Sequence, residues 1–247
     1  MKIAGIIPYH RLFTEEETYS VCHAVKTLGQ VNFYVMQEDS NLPDIYKEQQ
    51  TYIPPEGTLR SIQSYNDFLL RRKVYDDFSS YDRMIIVQND CIVLNNYLDE
   101  YLSYSYFGSK FYVPKILNGL WFGNYPRLGH FLSHLKIGDE YVYGNGGFSI
   151  RDVSFCKTHS LNISNNTYKS LRLSSIIGIR EDVYWSWAAR KYGVHTYDKA
   201  VIERFGLDRP ADNDKINLKS LMAIHDFKNT APSIHQSALK YIGYRET

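Results

Sequence analysis

Cysteine is scarce in this sequence: Cys22, Cys91 and Cys156 lie far apart and share no metal-like spacing. That excludes a disulfide framework and a zinc cluster, and it predicts a reducing, cytoplasmic setting. Net charge of one sign is missing too, with 28 basic residues against 27 acidic ones and a formal balance of +1. No global field gathers nucleic acid or an anionic membrane, so nucleic acid is not an expected partner and any anionic ligand must be held by a local site. No apolar run is long enough to span a bilayer, and the apolar start of "MKIAGIIPYHRLF" passes at once into Tyr9, His10 and Arg11, too soon for a secretion signal. Membrane contact, where there is any, is expected to be peripheral, at the inner face of the cell membrane. Also absent are the G-x-S-x-G of Ser-His-Asp hydrolases, the Gly-Lys-Ser/Thr phosphate loop and the dinucleotide GxGxxG.

What the chain does have is tyrosine, 22 residues beside 12 Phe and 3 Trp. Rings with a polar tip stack on sugars and bases but serve equally in cores and partner surfaces, so the count decides nothing alone. With 44% hydrophobic residues and no repeat or linker, residues 1–247 read as one globular domain. "KIAGIIPYH" is a short apolar run closed by Pro8, the pattern of a buried parallel strand. Thr14 and Glu17 form a capping box, and Val21, Cys22, Val25 and Leu28 follow at helical spacing up to Gly29. "VNFYVMQ" is the next strand, so the chain opens as a parallel β-α-β unit. Then come a loop over 38–58 holding a short strand at Thr51, Tyr52 and Ile53, and a helix over 59–78 with Ile62, Tyr65, Leu69 and Tyr75 inward. The strand "RMIIVQND" follows. Further on the pattern predicts a short helix over 98–104, a strand over 110–113 and a loop at "YGNGGFSIRD". A helix over 182–192, stopped by Gly193 and followed by a short strand, and a loop over 208–214 complete the reading; the last stretch is undecided.

Four places carry chemistry. In "IIVQNDCIVL", Gln88, Asn89 and Asp90 interrupt an apolar run at a strand's carboxyl end, where open α/β sheets bind their ligands. They form either a turn in which Asn and Asp bond their own backbone, or a set of oxygens for a hard divalent cation that neutralises phosphates. Asn145, between Gly144 and the pair Gly146-Gly147, lies in either a glycine-rich turn or a backbone that approaches a polar ligand at positive φ. Glu181 and Asp182 precede "VYWSWAARKYG", as first-turn helix caps or as a general base beside a reacting hydroxyl. His225 in "LMAIHDFKN" is a satisfied histidine or a metal ligand oriented by its neighbour.

In order, the β-α-β opening, "SYNDFLL", "IIVQNDCIVLNNYLDEYLSYSYFGS", "GNGGFSIRD" and "REDVYWS" resemble the DUF5672 family, GT-A-like glycosyltransferases of bacterial surface-polysaccharide clusters. The resemblance is close over about residues 60–190 and looser outside them. It implies an α/β, GT-A-like fold, a Rossmann-like nucleotide-diphospho-sugar transferase with a mixed sheet flanked by helices. Residues 1–95 would form the nucleotide-binding half and 96–247 the acceptor and catalytic half. The implied activity is hexosyl transfer from a nucleotide-sugar donor, such as a UDP-sugar, to a saccharide or lipid-linked saccharide acceptor in O-antigen or capsule synthesis. By the same resemblance Asp90 binds Mn²⁺ or Mg²⁺ with His225, and Pro8, Tyr9, His10, Tyr65, Asn66, Gln88 and Asn89 meet the nucleotide side of the donor. Asn145, Gly146 and Gly147 meet donor and acceptor sugars, while Asp182, beside Glu181, is the base of an inverting reaction. The first aspartate of the D-x-D pattern is here Gln88, which weakens the implied metal site and leaves a non-catalytic GT-A-like sugar-binding or scaffolding domain as the alternative. A nucleotidyltransferase would carry its glycine-rich loop after the first strand, where this chain has Pro8-Tyr9-His10.

Overall fold

The opening run is apolar throughout because both faces of its strand are covered. In β1 (Ile3–Pro8), Ile3 and Ile7 enter one core cluster and Ala4 and Ile6 another on the opposite face. The structure, a computed structural model, describes residues 1–38, 46, 49–114, 140–161, 181–196, 198–208, 216–226, 228 and 231–245. The loop expected over 208–214 falls outside the described residues except for Asp208.

After β1 come α1 (Glu15–Thr27), β2 (Asn32–Met36), β3 (Gln50–Tyr52), α2 (Ile62–Leu69), α3 (Arg72–Asp77), β4 (Arg83–Val87) and β5 (Cys91–Val93). The second half holds β6 (Tyr106–Pro114), β7 (Glu140–Asp152), α4 (Val153–His159), α5 (Glu181–Tyr192), α6 (Lys199–Phe205), β8 (Gly206–Asp208), β9 (Ala223–His225) and α7 (Pro232–Tyr241). The strands form one mixed sheet in the order β3-β2-β1-β4-β7-β6-β8-β9-β5. β1, β2, β3 and β4 run parallel, and β7 enters antiparallel against both β4 and β6. Strand order therefore reverses at β1, whose neighbours are β2 on one side and β4 on the other. A crevice opens outside the carboxyl ends of β1 and β4, as open sheets require at a switch point.

The capping box expected at α1 is present: Thr14 Oγ accepts from Glu17 N, and the Glu17 carboxylate accepts from Thr14 N at 2.7 Å. Three expectations need correction. The helix expected over 59–78 is two helices, α2 and α3, because the Leu69 carbonyl is taken by the Tyr75 hydroxyl at 2.7 Å and by Trp185 Nε1 at 3.2 Å. Ile62, expected inward, is 82% exposed at the cleft rim. "YGNGGFSIRD" is no loop but the core of β7, and its register against β6 jumps so that Gly108 faces Ser149 while Ser109 faces Asn145. Gly146, Gly147 and Phe148 are thus the extra residues of a bulge, a device common beside binding sites. The undecided last stretch forms α7, opened by Pro232 in its first turn.

Candidate active site

The Gln-Asn-Asp interruption is the point where the chain changes sheet partners. Val87 ends β4 beside β7, a turn closes with Cys91 N donating to Gln88 O at 3.1 Å, and Cys91 begins β5 beside β9. The turn is pinned on both sides: Gln88 N donates to Gly147 O at 2.9 Å, and Asn89 Nδ2 donates to Glu17 Oε1 at 2.6 Å. Asn89 is therefore committed to α1. Burial disfavours charge on Glu17, but hydrogen bonds from Arg11, Thr14 N and Asn89 and the Arg11 charge hold it at about 2.

Register then brings His225 to the turn, since Cys91 faces His225 in the β5–β9 pair. His225 Nε2 stands 3.2 Å from Asp90 Oδ1 and 3.3 Å from Gln88 Oε1. Burial opposes ionisation of Asp90, yet His225 beside it keeps the carboxyl below its ordinary value. Asp90, Cys91 and His225 each offer a ligand atom within 4.8 Å of the others. Cys91 Sγ, however, is buried and donates to Gly147 O at 3.1 Å, so the amide, carboxylate and imidazole are the donor set facing the cleft. Oxygen and imidazole donors converging on one point suit Mg²⁺ or Mn²⁺.

These groups line a cleft of about 740 Å³ at the switch point. Of the residues singled out in the sequence, Pro8, His10, Tyr65, Asn66, Gln88, Asn89, Asp90 and His225 meet there. Tyr9, Gly146, Gly147, Glu181 and Asp182 are not among its lining residues; the Tyr9 ring packs on Phe13 and Tyr46 at 4.9 and 5.8 Å. Arg11, Glu16, Glu17, Lys228 and His235 join the wall without having been singled out. Glu16 accepts from Lys228 at 2.8 Å, tying α1 to the C-terminal region.

The glycines of β7 make room rather than turns, and among the described glycines positive φ falls on Gly57 and Gly243 instead. A Cβ at Gly147 would lie 2.1 Å from His225 Nε2, and one at Gly146 would lie 2.0 Å from Glu181 Oε1 and 3.4 Å from Asp182 Cβ. The side chain of Asn145 lies outside the described residues. Two adjacent residues thus seat the histidine of one block and the acidic pair of the other. Glu181 is 3% exposed and accepts from Arg151 Nη2 at 2.8 Å; Arg151, fully buried, also donates to the Tyr75 hydroxyl at 3.1 Å. Burial pushes Glu181 up to about 7 against the pull of the Arg151 guanidinium, with the neighbouring Asp182 adding to the rise. Asp182, half-buried in the same first turn, is the more accessible carboxylate.

The family described as Protein of unknown function (DUF5672) matches residues 47–222. The chain belongs to this family. Among solved structures, this DUF5672 chain is similar to the galactosyltransferase LgtC in complex with donor and acceptor sugar analogs, at 10% identity and a TM-score of 0.55, covering 100% of this chain and 97% of that one. An active-site mutant of LgtC matches at 10% identity and a TM-score of 0.53, covering 100% and 98%. At such identity the likeness is one of fold: the DUF5672 chain has a mixed α/β, GT-A-like architecture. No curated protein matches in sequence. Among the described residues, no helix is long and apolar enough to cross a membrane.

Proposed function

We propose that the chain is a glycosyltransferase that binds a nucleotide-sugar, a UDP-sugar by preference, in the switch-point cleft and passes the sugar to a saccharide acceptor. The observation that carries this reading is the approach of Gln88 Oε1 and Asp90 Oδ1 to His225 Nε2, at 3.3 and 3.2 Å, on the cleft wall in a GT-A-like fold. Gln88, Asp90 and His225 would hold a divalent Mn²⁺ or Mg²⁺, and that cation, when bound, neutralises charge on the leaving diphosphate. Pro8, His10, Tyr65 and Asn66 form the nucleotide side. His225, Lys228 and His235 also reach this cleft, so the nucleotide half of residues 1–95 is completed by the second half.

Asp182 is the proposed base. It takes the proton of the acceptor hydroxyl as that oxygen attacks the anomeric carbon from the face opposite the diphosphate, which inverts the centre. Glu181, sealed against Arg151, holds the helix turn that presents Asp182. Gly146 and Gly147 allow the two blocks to stand side by side. The acceptor in this reading is a saccharide or lipid-linked saccharide of bacterial surface-polysaccharide synthesis, met in the cytoplasm at the inner face of the membrane.

A thermal-shift screen of nucleotide sugars identifies the donor, since a ligand bound to the folded state raises the melting temperature. With that donor, Asp182→Asn is expected to keep the shift and lose transfer by about 10²-fold or more. An unchanged rate removes Asp182 as base. Gln88 in place of a carboxylate favours a second reading, a sugar-binding domain without transfer, in which the donor binds and the wild-type protein releases no product.

A further inference from the structure

Gln88 is an odd ligand. A carboxylate presents either of two equivalent oxygens to a cation, whereas an amide must be turned the right way, because its NH₂ arm repels what its carbonyl attracts. Something has to set that rotation. With Oε1 directed at His225, the Nε2–H₂ arm of Gln88 is left for another acceptor.

The Tyr65 hydroxyl stands beside it. Tyr65 lies on α2, its ring packed with Phe68 and Leu69 in the core and its body lining the same cleft as Gln88. The residue is 8% exposed, and its oxygen is sealed from solvent with no partner at hydrogen-bonding geometry among the described residues. The Gln88 amide acts on the phenol but does not yet meet it at that geometry, and Glu181 and Arg151 complete the hydroxyl's charged surroundings. A buried hydroxyl left without a partner costs free energy that a small movement of Gln88 recovers.

We propose that Tyr65 is a positioning residue whose hydroxyl oxygen accepts from Gln88 Nε2 and thereby holds Gln88 Oε1 toward the divalent-cation site, which is what lets a glutamine serve where a carboxylate would otherwise stand. The inference rests on the proposed cation site and adds to it the group that orients its neutral ligand. Partners of this kind, standing behind a metal ligand, alter affinity for the ion without touching it.

The test is a titration of UDP, with and without Mn²⁺, into wild type, Tyr65→Phe, Gln88→Asp and the double variant, alongside their melting temperatures. Tyr65→Phe keeps the ring in the core and removes no hydrogen bond present in the ligand-free chain, so its melting temperature is expected at or above that of wild type. Whatever the change in metal-free UDP affinity, the Mn²⁺ enhancement, read as the ratio of the affinities with and without the ion, falls by roughly 10–100-fold. In the Gln88→Asp background, where no amide needs turning, the same Tyr65→Phe change should cost less than about twofold. An intact enhancement in Tyr65→Phe overturns the inference, as does an equal loss in both backgrounds. A wild-type protein whose UDP binding ignores Mn²⁺ instead overturns the cation site itself.

Discussion

At the scale of single residues, the site depends on what two glycines leave out. The imidazole of His225 occupies the space a Gly147 side chain would fill, with 2.1 Å between its Nε2 and the missing Cβ. Gly147→Ala therefore has to displace the ring that faces Asp90 and Gln88. The expected outcome is loss of the Mn²⁺ enhancement of UDP binding by at least about tenfold with metal-free binding preserved, measured by calorimetry. Full retention would mean that His225 is not a ligand. Asp90 and His225 stood out in the sequence as candidates because a polar turn after an apolar strand and a histidine before an acid are local signals. Glu17 was legible as a cap and illegible as the anchor of Asn89, which lies 72 positions away. Arg151 carried no signal beyond being a cation in a stretch read as a loop, since Glu181 and Tyr75 reach it from other elements.

At the scale of elements, β7 and α5 are locked by the Arg151–Glu181 pair, both partners buried. Such a pair is costly to desolvate and more costly to break. Arg151→Met leaves a buried glutamate with no partner charge and is expected to cost up to about 3–5 kcal/mol in urea unfolding once the pH is high enough to ionise it, whereas Arg151→Met/Glu181→Leu should recover most of the loss. The pH dependence has a definite sign. Glu181 titrates upward in the folded chain, to about 7 with Arg151 present and higher without it, so its burial is harmless below the ordinary glutamate value, where it is neutral. The deficit of Arg151→Met should be smallest near that acid limit and grow as pH rises through neutrality; a deficit independent of pH would contradict the pairing. This is also the scale at which the sequence misled. Glycines read as turn residues when no tertiary contact is known, but in β7 they absorb side chains arriving from α5 and β9 at a bulge. The break between α2 and α3 has the same character, for it follows from Tyr75 and Trp185 claiming one carbonyl.

At the scale of the whole molecule, the β-α-β opening was readable from apolar runs and a capping box, and it places the reversal of strand order at β1 and β4. The entry of β9 beside β5 was not readable, because it is a short pairing between segments more than a hundred residues apart. Yet that pairing brings His225 to Gln88 and Asp90, the three groups of the proposed cation site, and it adds residues of the second half to the cleft wall. The account stands on that point being a cation site within a nucleotide-sugar cleft. The most direct measurement is the calorimetric titration of UDP into wild type and Asp90→Ala, each with and without Mn²⁺. Binding that Mn²⁺ strengthens in wild type, with the gain lost in Asp90→Ala, is the predicted result; equal UDP affinity in all four titrations, or no UDP binding at all, would contradict it.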